Sequence, residues 1–165
     1  MDYGMALALS GAGMAALLAG IGSAIGINIS SKAATSILTE KPERYGQFFI
    51  MVVLPGTQGF YGFLAGFMVM LNLNFFGGTG LPEVSVKLGQ QIFAACLPVA
   101  FAGLVSAIYQ GKVAASGILM AGKRPEMAFK AGVVYAVMVE MYAILGLLTT
   151  LFLLWFGIKW PMPAA

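Results

Sequence analysis

The sequence predicts an all-α membrane protein of four transmembrane helices, organised as two tandem helical hairpins. The first prediction rests on a mean hydropathy of +0.91 with only 9% charged residues, against about 25% in soluble domains. It also rests on four long, nearly uncharged runs. The pairing into hairpins rests on an internal repeat.

The runs are Tyr3 to Ser31, Tyr45 to about Phe76, Leu88 to Gly111, and Ala131 to Ile158. Each exceeds the roughly 18 residues that mark a spanning helix. At about 1.5 Å per residue each crosses a hydrocarbon core of about 30 Å. Four spans in 165 residues leave no room for an extramembrane catalytic domain, so the chain is not expected to be an enzyme by itself.

The first span is built from small residues, with Gly11, Gly13, Gly20, Gly22 and Gly26 interleaved with alanines and serines. Such residues let helix backbones approach closely, and their density favours an oligomer over a tightly packed monomer. The segment TEKPERYG, residues 39–46, is the first polar break, with Pro42 at a helix start. The second span carries Leu54-Pro55-Gly56 in its middle, where a proline without an amide bends the helix away from Met51. The glycine-rich NFFGGTGLPEVSV, residues 74–86, connects to the third span, which begins near Leu88 and contains SAIYQGKVAASG. The second polar break, AGKRPEMAFKAG, resembles the first.

Aligned on Pro42 and Pro125, Glu43 matches Glu126 and Ser23-Ala24-Ile25 matches Ser106-Ala107-Ile108, all at an offset of 83. Gly62 matches Gly146 at 84, so one residue was gained or lost between the proline and the glycine. A duplicated hairpin accounts for this, with residues 1–80 forming the first copy and 81–165 the second. In the later register Glu140 aligns with Gly56, so only the second hairpin has a membrane carboxylate.

The net charge of +3 is scattered near helix ends and forms no nucleic-acid patch. Seven of the nine basic residues (Lys32, Lys41, Arg44, Lys112, Lys123, Arg124 and Lys130) flank the first and third connections, and only Lys87 and Lys159 lie at the other ends. That bias places those connections in the cytoplasm and both termini outside. The N-terminus carries Asp2 in place of a signal peptide's basic leader, so the first span is expected to remain as a helix. Cys96 is the single cysteine and histidine is absent, which removes disulfides and the usual transition-metal ligands from consideration.

Glu140 stands alone in an otherwise uncharged span, where an ionisable group is costly and marks function by default. Its companions follow from counting. Glu140 lies 15 residues after Pro125, Gln110 lies 15 before it, and Thr57 lies 15 after Pro42. All three therefore sit about 22 Å along their helices from the polar turns. Gln58 is adjacent to Thr57, and Tyr61 lies one turn along the same face. The carbonyl of Leu54 joins them only if the Pro55 kink opens its turn. An all-oxygen set with one negative charge suits a hard monovalent cation, with Na+ the natural choice. A protonated Glu140, and hence H+, is the alternative.

At LPGTQGFYGF, QGKVAASG, KRPEMAFKAG and MVEMYAILG the chain resembles the V-type ATPase proteolipid, the K or c subunit of the membrane rotor ring, in its sodium-pumping bacterial form. The resemblance spans essentially the whole chain. It implies a homo-oligomeric ring in which the first and third helices line the inside. It further implies that Glu140 carries the coupling ion past a stator membrane subunit while ATP hydrolysis elsewhere turns the ring. The Na+ ligands it implies are the Leu54 carbonyl, Thr57, Gln58, Gln110 and Glu140, with Tyr61 donating to the carboxylate. The expected partners are further copies, the stator, a central-stalk subunit at the cytoplasmic loops, and lipid, in a bacterial cell membrane. A self-contained four-helix transporter with one membrane carboxylate is the competing class, and the repeat and the glycine-rich first helix weigh against it.

Overall fold

The computed structural model describes residues 2–77 and 82–161. Helix α1 runs Tyr3–Leu38. The second span, Pro42–Asn72, is a 3-10 turn at Pro42–Arg44, helix α2 (Tyr45–Val53), a 3-10 turn at Leu54–Gly56, and helix α3 (Thr57–Asn72). Helix α4 runs Val86–Lys123. The fourth span, Ala128–Gly157, is helix α5 (Val134–Phe152) between π-helical turns at Ala128–Val133 and Leu153–Gly157. All four are long and apolar enough to cross a membrane, and the regular elements of the described residues are all helical.

Helices α1 and α4 outlast their apolar runs, continuing past Ser31 and Gly111 to Leu38 and Lys123. A lysine ends a hydrophobic run without ending a helix, because the backbone bonds are internal and the lysine's stem reaches toward the interface. The prolines end them. Lys41, before Pro42, has φ −134° and ψ 66°, and Arg124, before Pro125, has φ −132° and ψ 84°. Both leave the helical region because a following proline ring crowds it. The two residues are 83 positions apart, so the repeat extends to backbone conformation. The polar breaks are correspondingly narrower than their composition implies.

The chain closes on itself at this end of the bundle. Lys41 Nζ donates to the Gly122 carbonyl (3.0 Å), Arg44 Nη1 to Ala121 (2.8 Å) and Gln47 Nε2 to Pro125 (3.0 Å). These donors satisfy carbonyls at the C-terminal end of α4, and the two cations there oppose the negative end of its dipole. At the other end Ser85 caps α4 by accepting from the Leu88 N–H (3.2 Å). The expected hairpin boundary at residues 80/81 lies outside the described residues.

Helices α1 and α4 pack face to face along their lengths, α3 lies on α1, and α5 lies on α4. Glycine makes the close approach possible: a methyl added at Gly22 would lie 2.6 Å from the Leu104 Cα. The small residues of α1 therefore divide into two sets. Gly4, Gly11, Gly22 and Gly26 press against α4 or the segment before it, whereas added methyls at Gly13 and Gly20 would meet nothing within 4 Å.

Within each hairpin the same contact recurs. Gly62 sits over the Ala15 carbonyl and Ala19, and Gly146 sits over the Pro98 carbonyl and Ala102. The inner-helix residues are 83 apart and the glycines 84 apart, so the slip in sequence register is built into the packing. Two apolar clusters result, one around Met5, Val69, Ile92 and Leu154, the other around Phe48, Met51, Ile118 and Ala136. The polar residues Gln58, Gln110 and Glu140 lie between them.

Candidate cation site

Residues expected to share one depth are in contact. Gln58 and Gln110 are fully buried, and Glu140 is only 8% exposed. Tyr61 donates its phenolic proton to Glu140 Oε1 at 2.6 Å. Gln110 Nε2 donates to the Ala136 carbonyl at 3.0 Å and reaches Glu140 Oε2 at 3.5 Å. Gln58 Nε2 donates to Gln110 Oε1 at 2.6 Å. The Thr57 hydroxyl donates to the Leu54 carbonyl at 2.9 Å and lies 3.4 Å from Gln58 Oε1. The second span thus supplies Leu54, Thr57, Gln58 and Tyr61, α4 supplies Gln110, and α5 supplies Glu140.

The layer is polarised. Both side-chain amide N–H groups of this set are spent on protein acceptors, so the groups left turned toward one another are oxygens. Glu140 Oε2 and Gln58 Oε1 have only the long contacts of 3.5 and 3.4 Å, at the weak limit of a hydrogen bond. Those two oxygens, with Thr57 Oγ1 and the Leu54 carbonyl beside them, are the donors a hard cation would complete. No group of three His, Cys, Asp or Glu side chains gathers among the described residues, so the chemistry available here is oxygen ligation around one carboxylate.

Leu54 required the structure. In a regular helix its carbonyl would accept from the Gln58 amide; at the Leu54–Gly56 turn the helix tightens, and the Thr57 N–H takes that carbonyl instead. Proline dictates the change, since Pro55 has no amide and its ring displaces the carbonyl four residues earlier.

Two further residues, Ser23 and Ser30 on α1, hold this broken segment, and sequence reasoning gave them no role. Ser23 Oγ accepts the Gly59 N–H at 2.8 Å, just past the break. The Ser30 hydroxyl lies 3.3 Å from the Val52 carbonyl, just before it, and 3.1 Å from its own helix's Gly26 and Ile27 carbonyls. The available signal was the Ser23/Ser106 match in the repeat. Ser106 makes only a 3.5 Å contact to Gly103 on its own helix, so the pair is alike in sequence and different in use.

The second hairpin has its own proline, Pro98, inside the unbroken α4. There the Thr150 hydroxyl of α5 accepts the Val99 N–H at 3.1 Å. In both hairpins a hydroxyl on the partner helix satisfies backbone next to a proline, as a membrane interior requires. Only in the first does the break open toward ligand oxygens.

The family profile of the ATP synthase C subunit matches the chain twice, over residues 10–69 and 93–153. The two starts lie 83 residues apart and the two ends 84, the offsets found in the helix contacts. The chain is 45% identical over 152 residues to the V-type sodium ATPase subunit K of Enterococcus hirae, covering 88% of this chain and 92% of that protein. It is also 38% identical over 144 residues to the A-type ATP synthase subunit K of Methanocaldococcus jannaschii, covering 87% of this chain and 60% of that one. With two matches that together span most of its length, each on one helical hairpin, the chain belongs to the ATP synthase C-subunit family.

Proposed function

We propose that this chain is a non-catalytic rotor-ring subunit of a V-type ATPase and carries Na+ across the membrane on Glu140. The observation that supports it most directly is the buried layer in which Tyr61 secures one carboxylate oxygen while Glu140 Oε2 and Gln58 Oε1 stay weakly engaged. The ligands are Glu140, Gln58, Thr57, Gln110 and the Leu54 carbonyl, with Tyr61 orienting the carboxylate. The sodium in the name of the Enterococcus hirae relative points the same way.

The mechanism follows from charge. An empty Glu140 is a bare anion that resists facing lipid, whereas a loaded site is neutral and passes. Rotation is therefore permitted only for loaded sites, and a stator membrane subunit facing Glu140 would load and unload them. The hairpin of residues 1–80 then serves as ligand donor and spacer, and that of residues 81–165 carries the ion's counter-charge. The basic connections lie in the cytoplasm and both termini outside, in a bacterial cell membrane. Because Lys41 and Arg44 are engaged with α4, the side chains left for a central-stalk subunit are the exposed Glu40, Glu43, Lys123, Arg124 and Glu126.

Proton coupling is the second reading, favoured by one feature: Tyr61 and Gln110 already bond both carboxylate oxygens without an ion. A carbodiimide that modifies protonated buried carboxyls separates the two. Sodium should slow labelling of Glu140 in a concentration-dependent way across pH. A rate unchanged by sodium at every pH would overturn the Na+ reading in favour of H+.

A further inference from the structure

The chain leaves open two faces that are counterparts of its own internal interface. In the second hairpin, Gly103, Glu140, Ala143 and Leu147 lie on the face covered by the first hairpin. Their counterparts, at 83 in the inner helix and 84 in the outer, are Gly20, Gly56, Gly59 and Phe63. Those four line an open apolar groove. A methyl added at Gly103 would lie 2.7 Å from Ala19 Cβ, while one at Gly20 would meet nothing within 4 Å. The reverse holds for the other side. Gly22, Gly26 and Gln58 of the first hairpin are buried, and their counterparts Val105, Tyr109 and Tyr142 line a second open groove, 50%, 55% and 68% exposed.

We propose that a second copy of this chain docks its Val105–Tyr109–Tyr142 face into the Gly20–Gly56–Gly59 groove, repeating between chains the contact that joins the hairpins within one. Such a head-to-tail contact joins two different faces, so it propagates from copy to copy and closes as a ring. Glycines on one side and tyrosines on the other are complementary in shape, since small residues admit a close neighbour and aromatics fill the space.

The junction differs from the internal interface in chemistry. At the depth of the cation layer, Gly56 stands for Glu140, Ile27 for Gln110, Tyr142 for Gln58, Met141 for Thr57 and Leu145 for Tyr61. The spatial relation persists: a methyl added at Gly56 would lie 3.3 Å from Ile27 Cδ1, just as Glu140 adjoins Gln110. Every polar position has become apolar or aromatic, or has lost its side chain. The contact between copies is therefore a dry seam that binds no cation, with the Tyr142 ring over Gly56.

This inference rests on the ring reading, and the test keeps the two apart. In a Cys96→Ala background, membranes carrying Ile27→Cys together with Tyr142→Cys are oxidised and resolved on denaturing gels. A ladder of multimers is expected from the pair and none beyond dimers from either single variant. If the unsubstituted protein migrates as a large oligomer on native gels yet the pair gives no ladder, the assigned face is wrong. If it migrates as a monomer, the ring reading itself fails. Gly20→Phe fills the groove where the chain has room for it. It should reduce oligomer at least tenfold with unchanged helix content, and full retention of the oligomer would also overturn the assignment.

Discussion

The two hairpins share one packing scheme and have opposite roles at the site. Gly62 and Gly146 seat their helices identically, and Lys41 and Arg124 leave their helices with nearly the same dihedrals. Yet the first hairpin breaks at Pro55 and offers oxygens, while the second stays helical through Pro98 and offers the charge. Small residues at interfaces maintain the scaffold, and a few changes in a single layer decide where an ion can stop. The site exists only between unlike halves, because neither hairpin alone holds both the carboxylate and the opened carbonyl.

The most severe way to test that division is Glu140→Gln, which keeps size and hydrogen bonding but removes the charge. Coupled sodium transport, measured as ATP-driven uptake into vesicles, should fall to background while the oligomer persists on native gels. Undiminished uptake would refute both ion readings. Next come Gly62→Leu and Gly146→Leu, which force a side chain against backbone in the two equivalent contacts. Overpacking should cost each about 1–3 kcal/mol or more, and thermal unfolding in detergent should show similar losses. A large loss in only one would mean the hairpins are not equivalent scaffolds.

The smallest effect is the most discriminating. Ser23→Ala removes the acceptor for the Gly59 N–H, a bond worth roughly 1 kcal/mol, so sodium affinity measured by protection from carbodiimide should drop severalfold. Ser106→Ala, its counterpart in the repeat, touches only its own helix and should leave affinity unchanged. Equal effects would show that Ser23 acts through general packing and not by holding the break.

Much of this was legible before any coordinates. Glu140, Gln110 and Thr57 could be placed at one depth because helical rise is constant, so counting from Pro42 and Pro125 converts sequence distance into height. The duplication was legible because the turns repeat their prolines and glutamates. The helix ends were not, since Lys32 and Lys112 read as the edge of an apolar run and the backbone ignores them. Ser23, Ser30 and Thr150 were invisible as supports because serine and threonine in a membrane helix ordinarily bond their own backbone, and only the packed partner shows which one turns outward.

The order of residues alone thus determines four membrane helices in two repeats, one buried carboxylate, and the oxygen donors at its level, because hydropathy, period and rise are local properties of the chain. Which donors touch could not come from those properties. That Tyr61 takes one carboxylate oxygen, that Gln110 turns its amide to Ala136, and that the Leu54 carbonyl is released to Thr57 all depend on the packing of α1 against α4 and on a proline break held by serines from another helix. Contacts across helices are fixed by rotation and close approach, and those quantities exist only once the glycines have let the backbones meet.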